Sequence, residues 1–163
     1  MITFHVPSDQ SLLAAFGEVA LRHEHMNHIL RMTVKSLTGV TPAEALAATM
    51  FESSAQLRER VRKIARKRLG EGAALVKLQA ILANCKRLTQ KRNELVHSLW
   101  AQELDGDAHL RNGYGSTRPL PTQDELHGLA REMEELTGHL NFERLEGFLK
   151  EALEARRDAA SAA

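Results

Sequence analysis

Apolar residues recur at alternating steps of three and four through four long stretches of this chain. That spacing lines them up on one face of an α-helix, whereas a pleated strand repeats every second residue. The first stretch opens at Pro7-Ser8-Asp9, with Ser8 read as the cap, and carries Leu12, Phe16, Val19, Met26, Leu30 and Leu37, with His23 and Thr33 filling the missing steps. Leu37-Thr38-Gly39 ends it. The second begins at Thr41-Pro42-Ala43-Glu44, a capping box with proline at the first helical position. It carries Leu46, Met50, Leu57, Val61 and Ile64, with Phe51 and Ala65 beside them, and stops at Gly70-Glu71-Gly72.

The third stretch carries Leu75, Leu78, Leu82, Cys85, Val96 and Leu99, and two seam positions are polar: Thr89 and Arg92. A guanidinium on an apolar seam is costly unless it is paired or faces a cleft. From Ser98 to Pro121 the pattern lapses. Asp105-Gly106-Asp107 between Leu99–Leu104 and Ala108–Arg111 reads as a short hairpin, and Asn112–Ser116 as a loop. A second capping box, Thr122-Gln123-Asp124-Glu125, then opens a stretch with Leu126, Leu129, Met133, Leu136, Leu140, Leu145, Leu149 and Leu153.

The expectation is an all-α fold, an antiparallel bundle of four long helices at about 8–38, 42–69, 72–98 and 122–156, with a hairpin-like insert at about 99–112. It forms a single domain over residues 1–163 with a frayed tail from about 158. Composition agrees, because 24 Leu and 22 Ala against 11 Val plus Ile and 4% aromatics disfavour sandwiches, barrels and doubly wound sheets. The lone Cys85 forms no internal disulfide, no apolar run reaches the roughly 20 residues that span a bilayer, and Met1–His5 lacks the start of a signal peptide. A cytoplasmic protein without a membrane partner is expected.

A formal net charge of +1 conceals a strong asymmetry. Residues 1–55 hold three Lys/Arg against five Asp/Glu, whereas residues 56–92 hold twelve against two, a block of +10. Residues 93–100 add one glutamate, and residues 101–163 hold seven cations against thirteen acids. Such a block attracts a polyanion, and Arg58, Arg62, Arg66, Lys86 and Lys91 are the candidate phosphate contacts. The alternative is a solvated face paired with the acidic fourth helix.

The block ends in Lys91-Arg92-Asn93-Glu94-Leu95-Val96-His97-Ser98-Leu99-Trp100. Asn93 and His97, four apart, share a helix face, and Arg92 lies about 100° round from Asn93. The grouping suits RNA cleavage. A histidine can move a proton from a ribose 2′-hydroxyl or to a leaving 5′-oxygen, an arginine can hold the phosphate bidentately, and an asparagine can orient either. The alternative is that His97 merely caps its helix and Arg92 pairs with a fourth-helix glutamate.

Arg92-Asn93-Glu94-Leu95-Val96-His97 resembles the motif of the HEPN domains (higher eukaryotes and prokaryotes nucleotide-binding): Arg, four to six residues, then His, often with Asn directly after the Arg, inside a helical bundle. The motif covers six residues, and the architectural likeness about 8–155. The resemblance implies a homodimer whose two motifs face each other across a cleft. In active members it implies a metal-independent endoribonuclease leaving a 2′,3′-cyclic phosphate, with Arg92, Asn93 and His97 as catalytic residues and no cofactor. It also implies a toxin or defence role beside an acidic antitoxin-like protein. Other members bind RNA or nucleotides without cleaving them, or serve as scaffolds, so a non-catalytic module docking an acidic partner is the competing expectation. A DNA-binding regulator ranks third, without a helix-turn-helix to support it.

Arg22 to His28 also has the Arg/His spacing, but Asn93, the seam position of Arg92 and the adjacent basic block favour Arg92 and His97. The segment Arg22-His23-Glu24-His25-Met26-Asn27-His28 is rich in metal-capable groups but lacks a His-Glu-x-x-His pattern, and no metal site is expected. His23, in the seam, is a candidate to line the same cleft as Arg92. Trp100 and Tyr114 are candidates to stack on bases, with packing over the bundle end as the alternative.

Overall fold

The computed structural model describes residues 2–4, 6–103 and 106–162. Met1 and His5 of the N-terminal reading, and Leu104 and Asp105 of the hairpin, lie outside the described residues. Among the described residues the chain is mostly helical. It forms β1 (Ile2–Phe4), α1 (Gln10–Thr38), α2 (Pro42–Thr49), α3 (Ser54–Leu69), α4 (Ala73–Val96), β2 (Leu99–Glu103), β3 (Ala108–Arg111), β4 (Thr117–Pro119), α5 (Gln123–Leu145) and α6 (Phe148–Ser161).

Helix α1 is the organiser, packing chiefly against α5 and α3. Its inward residues are those of the three/four spacing: Leu12, Val19, Met26, Leu30 and Leu37 are buried, as are His23 and Thr33 between them. Asp9, not Ser8, is its cap, accepting the amides of Ser11 and Leu12 at 2.8 and 3.2 Å. Gly39, with φ of 77°, stops the helix and donates to the Lys35 carbonyl. Leu57, Val61, Ala65 and Leu69 of α3, Leu75, Leu78, Cys85 and Leu88 of α4, Leu126, Met133 and Leu140 of α5, and Leu149 of α6 complete one core cluster.

Four expected helices become six, and each break has a local cause. Within 42–69 the helix ends at Thr49, and Ser53 opens α3 with a second reciprocal capping box to Gln56. Such caps contribute about 1 kcal/mol and set a new axis. The expected stripe residues Leu46, Met50 and Phe51 are therefore turned outward, Phe51 to 90% exposure, and Ala45 and Thr49 take the buried positions of α2. Within 122–156 the helix breaks at Glu146-Gly147. There the Glu143 carboxylate folds back to accept the Phe148 amide at 2.8 Å, and a Cβ on Gly147 would collide with that carboxylate. Helix α6 then continues to Ser161, past the expected fraying point at 158.

The insert is more than a hairpin. Strands β2 and β3 pair antiparallel with Trp100 opposite Leu110, and β1 and β4 extend them into a four-stranded sheet of order β1-β2-β3-β4. Ala101 and Leu110 are buried beneath it, while Trp100 meets Phe16 edge-to-face at 5.6 Å and donates its indole N–H to the Leu95 carbonyl at 2.9 Å. These contacts seat the sheet against α1 and the end of α4.

Candidate nucleic-acid interface

Helix α4 ends at Val96, and His97 is its C-cap, with an amide donating to the Asn93 carbonyl at 2.9 Å. Its imidazole is exposed and makes no hydrogen bond to a described residue. Arg92 and Asn93 are half-buried, and the Arg92 guanidinium donates to the Asn93 Oδ1 at 3.1 Å. The three predicted catalytic residues thus occupy the last turn and a half of one helix, with Asn93 already holding Arg92.

The seam position of Arg92 has a clear physical setting. Its Nε is buried and lacks a hydrogen-bond partner among the described residues, and no carboxylate pairs with it there. On α5, Glu132 is taken by other cations: Arg87 and Lys91 share it at 2.8 and 3.3 Å. The Arg92 charge instead acts on His23 of α1, whose imidazole is held down to about 4 by burial first and by Arg92 next, with Arg58 acting in the same direction and Glu24 opposing. His23 is accordingly neutral at pH 7.

Around His23 lies a buried polar junction joining α1, α3 and α4. Its Nε2 stands 3.3 Å from both Thr89 Oγ1 and Ser54 Oγ. Thr89 spends its hydroxyl proton on the Cys85 carbonyl at 2.8 Å, and Ser54 spends its own on Asn27 Oδ1 at 2.6 Å. Both hydroxyls can only accept from the ring, which assigns the neutral tautomer to Nε2–H by proton inventory. Thr89 also accepts from Arg58 at 3.2 Å, and Asn27 donates to Glu24, which Arg31 holds at 2.8 Å. Cys85 beneath is pushed up to about 12 by burial and carries no reactivity.

The basic block is divided by its surroundings. Arg58, Arg62 and Lys86 line a groove of about 490 Å³ between α3 and α4, with Glu59 as its one carboxylate. Arg62 is held bidentately by that Glu59 at 2.8 Å, whereas burial lowers the pKa of Arg58, which has no acidic partner among the described residues. Arg66 pairs with Glu71 at 3.2 Å near the other end of α3. Lys91 lies across α4, in a groove of about 700 Å³ where Lys91 and Arg118 face Glu94, Glu125 and Glu132. Of the five predicted phosphate contacts, the fold gathers three and separates Arg66 and Lys91.

Trp100 is committed to packing, while Tyr114 is 98% exposed in the turn between β3 and β4. That turn is fixed by Asn112 Oδ1, which accepts the amides of Tyr114 and Ser116. His25 and His28 are exposed, and no group of three or more His, Cys, Asp or Glu among the described residues stands as a metal cage. No helix among those residues is long and apolar enough to cross a membrane. Ser54, Asn27 and Thr89 went unrecognised as junction members. The seam position of Thr89 and the Ser53-x-x-Gln56 cap beside Ser54 were the available signals. In comparisons with known proteins, no family model, no curated protein and no solved structure matches the chain.

Proposed function

We propose that this chain is a HEPN-like RNA-binding protein that acts as a homodimeric, metal-independent endoribonuclease, cleaving by 2′-hydroxyl attack. The observation that carries the reading is the end of α4. A guanidinium with no carboxylate partner among the described residues, held by the neighbouring Asn93 amide, lies just before an exposed imidazole, on the same helix that walls the Arg58/Arg62/Lys86 groove. In this reading the groove takes the phosphate backbone and Arg92 the scissile phosphate. The 2′-oxygen loses its proton to one His97 and bonds to phosphorus, the bond from phosphorus to the 5′-oxygen breaks, and the leaving oxygen takes a proton. One imidazole cannot be base and acid in the same instant, which is why a second copy of His97, from a second chain, belongs to the proposal.

Single-stranded RNA incubated with the protein in EDTA should be cut to products with 2′,3′-cyclic phosphate ends, and His97→Ala should abolish the cutting. Cleavage by both proteins alike, or by neither, overturns the catalytic reading. A cytoplasmic setting belongs to the same proposal, since Cys85 is buried and unpaired.

A second reading is favoured by the ion pairs that Glu59, Glu71 and Glu132 make with the basic block. They neutralise much of it internally, leaving a non-catalytic module that docks an acidic, antitoxin-like protein or a nucleotide. Charge reversal at Arg62 and Arg66 should then abolish partner binding, while His97→Ala leaves it intact.

A further inference from the structure

The far end of the bundle, where α1, α3 and α5 terminate, carries a second cationic cavity that plays no part in the RNA reading. It measures about 400 Å³ and is lined by Lys35, Arg68, Arg144, Lys150 and Arg157, with Glu154 the only acidic side chain in its wall among the described residues. That carboxylate stands 3.9 Å from Arg157, a distant and half-exposed pair that neutralises little. The cavity therefore holds close to four uncompensated positive charges.

Helix-end electrostatics explain part of this arrangement and fail for the rest. Lys35, Arg68 and Arg144 lie in the last turns of α1, α3 and α5, where a cation offsets the partial negative charge of the terminal carbonyls. Lys150 lies in the first turn of α6, Phe148–Ser161, where the same effect opposes a cation, and Arg157 lies well inside that helix. Their presence on the wall has no helix-end reason.

Arg144 is the most telling of the five. Its guanidinium is fixed by Asn141 Oδ1 at 2.7 Å and Ser36 Oγ at 3.4 Å, its Nε is buried without a partner among the described residues, and no carboxylate there pairs with it. Burial lowers its pKa with no acidic neighbour to restore it. A guanidinium desolvated in this way, ringed by four more cations, is poised for an anion that the chain does not itself supply.

We infer that this cavity is a binding site for a compact oligophosphate, a ligand bearing two or three linked phosphate groups. A single phosphate would leave most of the five cations unmet. An extended polymer strand suits an open groove, such as the one between α3 and α4, better than a cavity of this size at a helix junction. The oligophosphate can be inorganic or the tail of a nucleotide. Leu145 and Leu153 are the apolar residues of the wall available to a base.

Calorimetric titration of this chain, in about 0.1 M salt without divalent metal, with inorganic triphosphate, with a nucleoside triphosphate and with sulfate tests the site. Triphosphate should bind, sulfate should bind at least about tenfold more weakly, and the double variant Lys150→Glu/Arg157→Glu should weaken triphosphate by about tenfold or more. Both substitutions are on exposed side chains of α6, so an unchanged melting temperature verifies the fold, and Lys150→Gln gives a milder second variant. Equal affinity for the two triphosphates identifies the phosphate chain as the whole ligand, and tighter nucleotide binding adds the base. Arg58→Ala and Lys86→Ala, in the other groove, should leave the affinity within about twofold, since Arg58 precedes Arg68 on α3 by roughly 15 Å of helix, more than the Debye length of about 10 Å at this salt. Absence of binding up to roughly millimolar triphosphate overturns the inference. So does sulfate binding as tight as triphosphate, or loss through Arg58→Ala equal to that through the α6 variant. None of these results depends on whether RNA is cleaved.

Discussion

His23 and His97 meet α4 at two nearby places and live in opposite surroundings. His23 packs at Thr89, three residues before Arg92, and is 6% exposed; His97 closes the helix and is open to solvent. Burial and the Arg92 charge strip His23 of its proton and make it a fixed donor between two hydroxyls. His97 is exposed and makes no side-chain hydrogen bond to any described residue, so its ring is open to solvent. One residue type thus supplies a structural strut and a chemical candidate, and the environment assigns the parts.

The widest separation between them is expected in activity. If RNA is cleaved, His97→Ala should lower the rate by about 10²–10⁴-fold, the usual contribution of a positioned acid or base, with no change in melting temperature. His23→Ala should do the reverse to stability, costing about 2–4 kcal/mol in denaturant unfolding through the cavity and the lost hydrogen bonds. Wild-type levels of both stability and cleavage in His23→Ala would break the contrast.

Acid sharpens it. An unfolded histidine titrates near 6.5, and His23 in the fold near 4, so between these values the unfolded chain binds the extra proton. The contribution of neutral His23 is complete above about pH 6.5 and is lost as pH falls toward 4, amounting to about 3 kcal/mol. His23→Gln, which keeps an N–H donor but cannot titrate, should flatten that part of the stability profile; an unchanged slope would show that other groups carry it.

The smallest effect belongs to the paired cations. Arg87 and Lys91 hold the Glu132 carboxylate below its ordinary range, but all three are substantially exposed. Glu132→Gln should cost no more than about 1 kcal/mol. On the RNA reading it should also strengthen binding at low salt, because two cations lose their internal partner.

Much of the helical face was legible because burial follows spacing closely. Val19, His23, Met26, Leu30, Thr33 and Leu37 alternate by four and three and are all buried. Three capping boxes were written in the sequence, and the one at Ser53 went unread because the stripe around Met50 looked continuous. The break at Gly147 was harder to see, since Glu143 must fold back to create it. Strands β1 and β4 are three residues each, too short for a period-two signal, and β1 finds its partner β2 almost a hundred residues away.

At the site, the sequence placed Asn93 and His97 on one face and marked Arg92 as out of place. It could not show that the Arg92 charge would act on His23, sixty-nine positions earlier in the chain. Nor could it sort the +10 block into cations held by glutamates and cations left without them, because that depends on which carboxylates the packing delivers.

By itself the sequence determined the helical class, the inward faces, most of the stops and caps, and the density of positive charge. All of these follow from interactions between residues a few positions apart, which a linear reading can follow. Only the tertiary structure decided that His23, Asn27, Ser54, Arg58 and Thr89 form one junction, that Arg66 and Lys91 leave the groove, and that five scattered cations meet at the far end. Those outcomes depend on distances between segments brought together by burial, where desolvation and unpaired charge acquire their energetic weight.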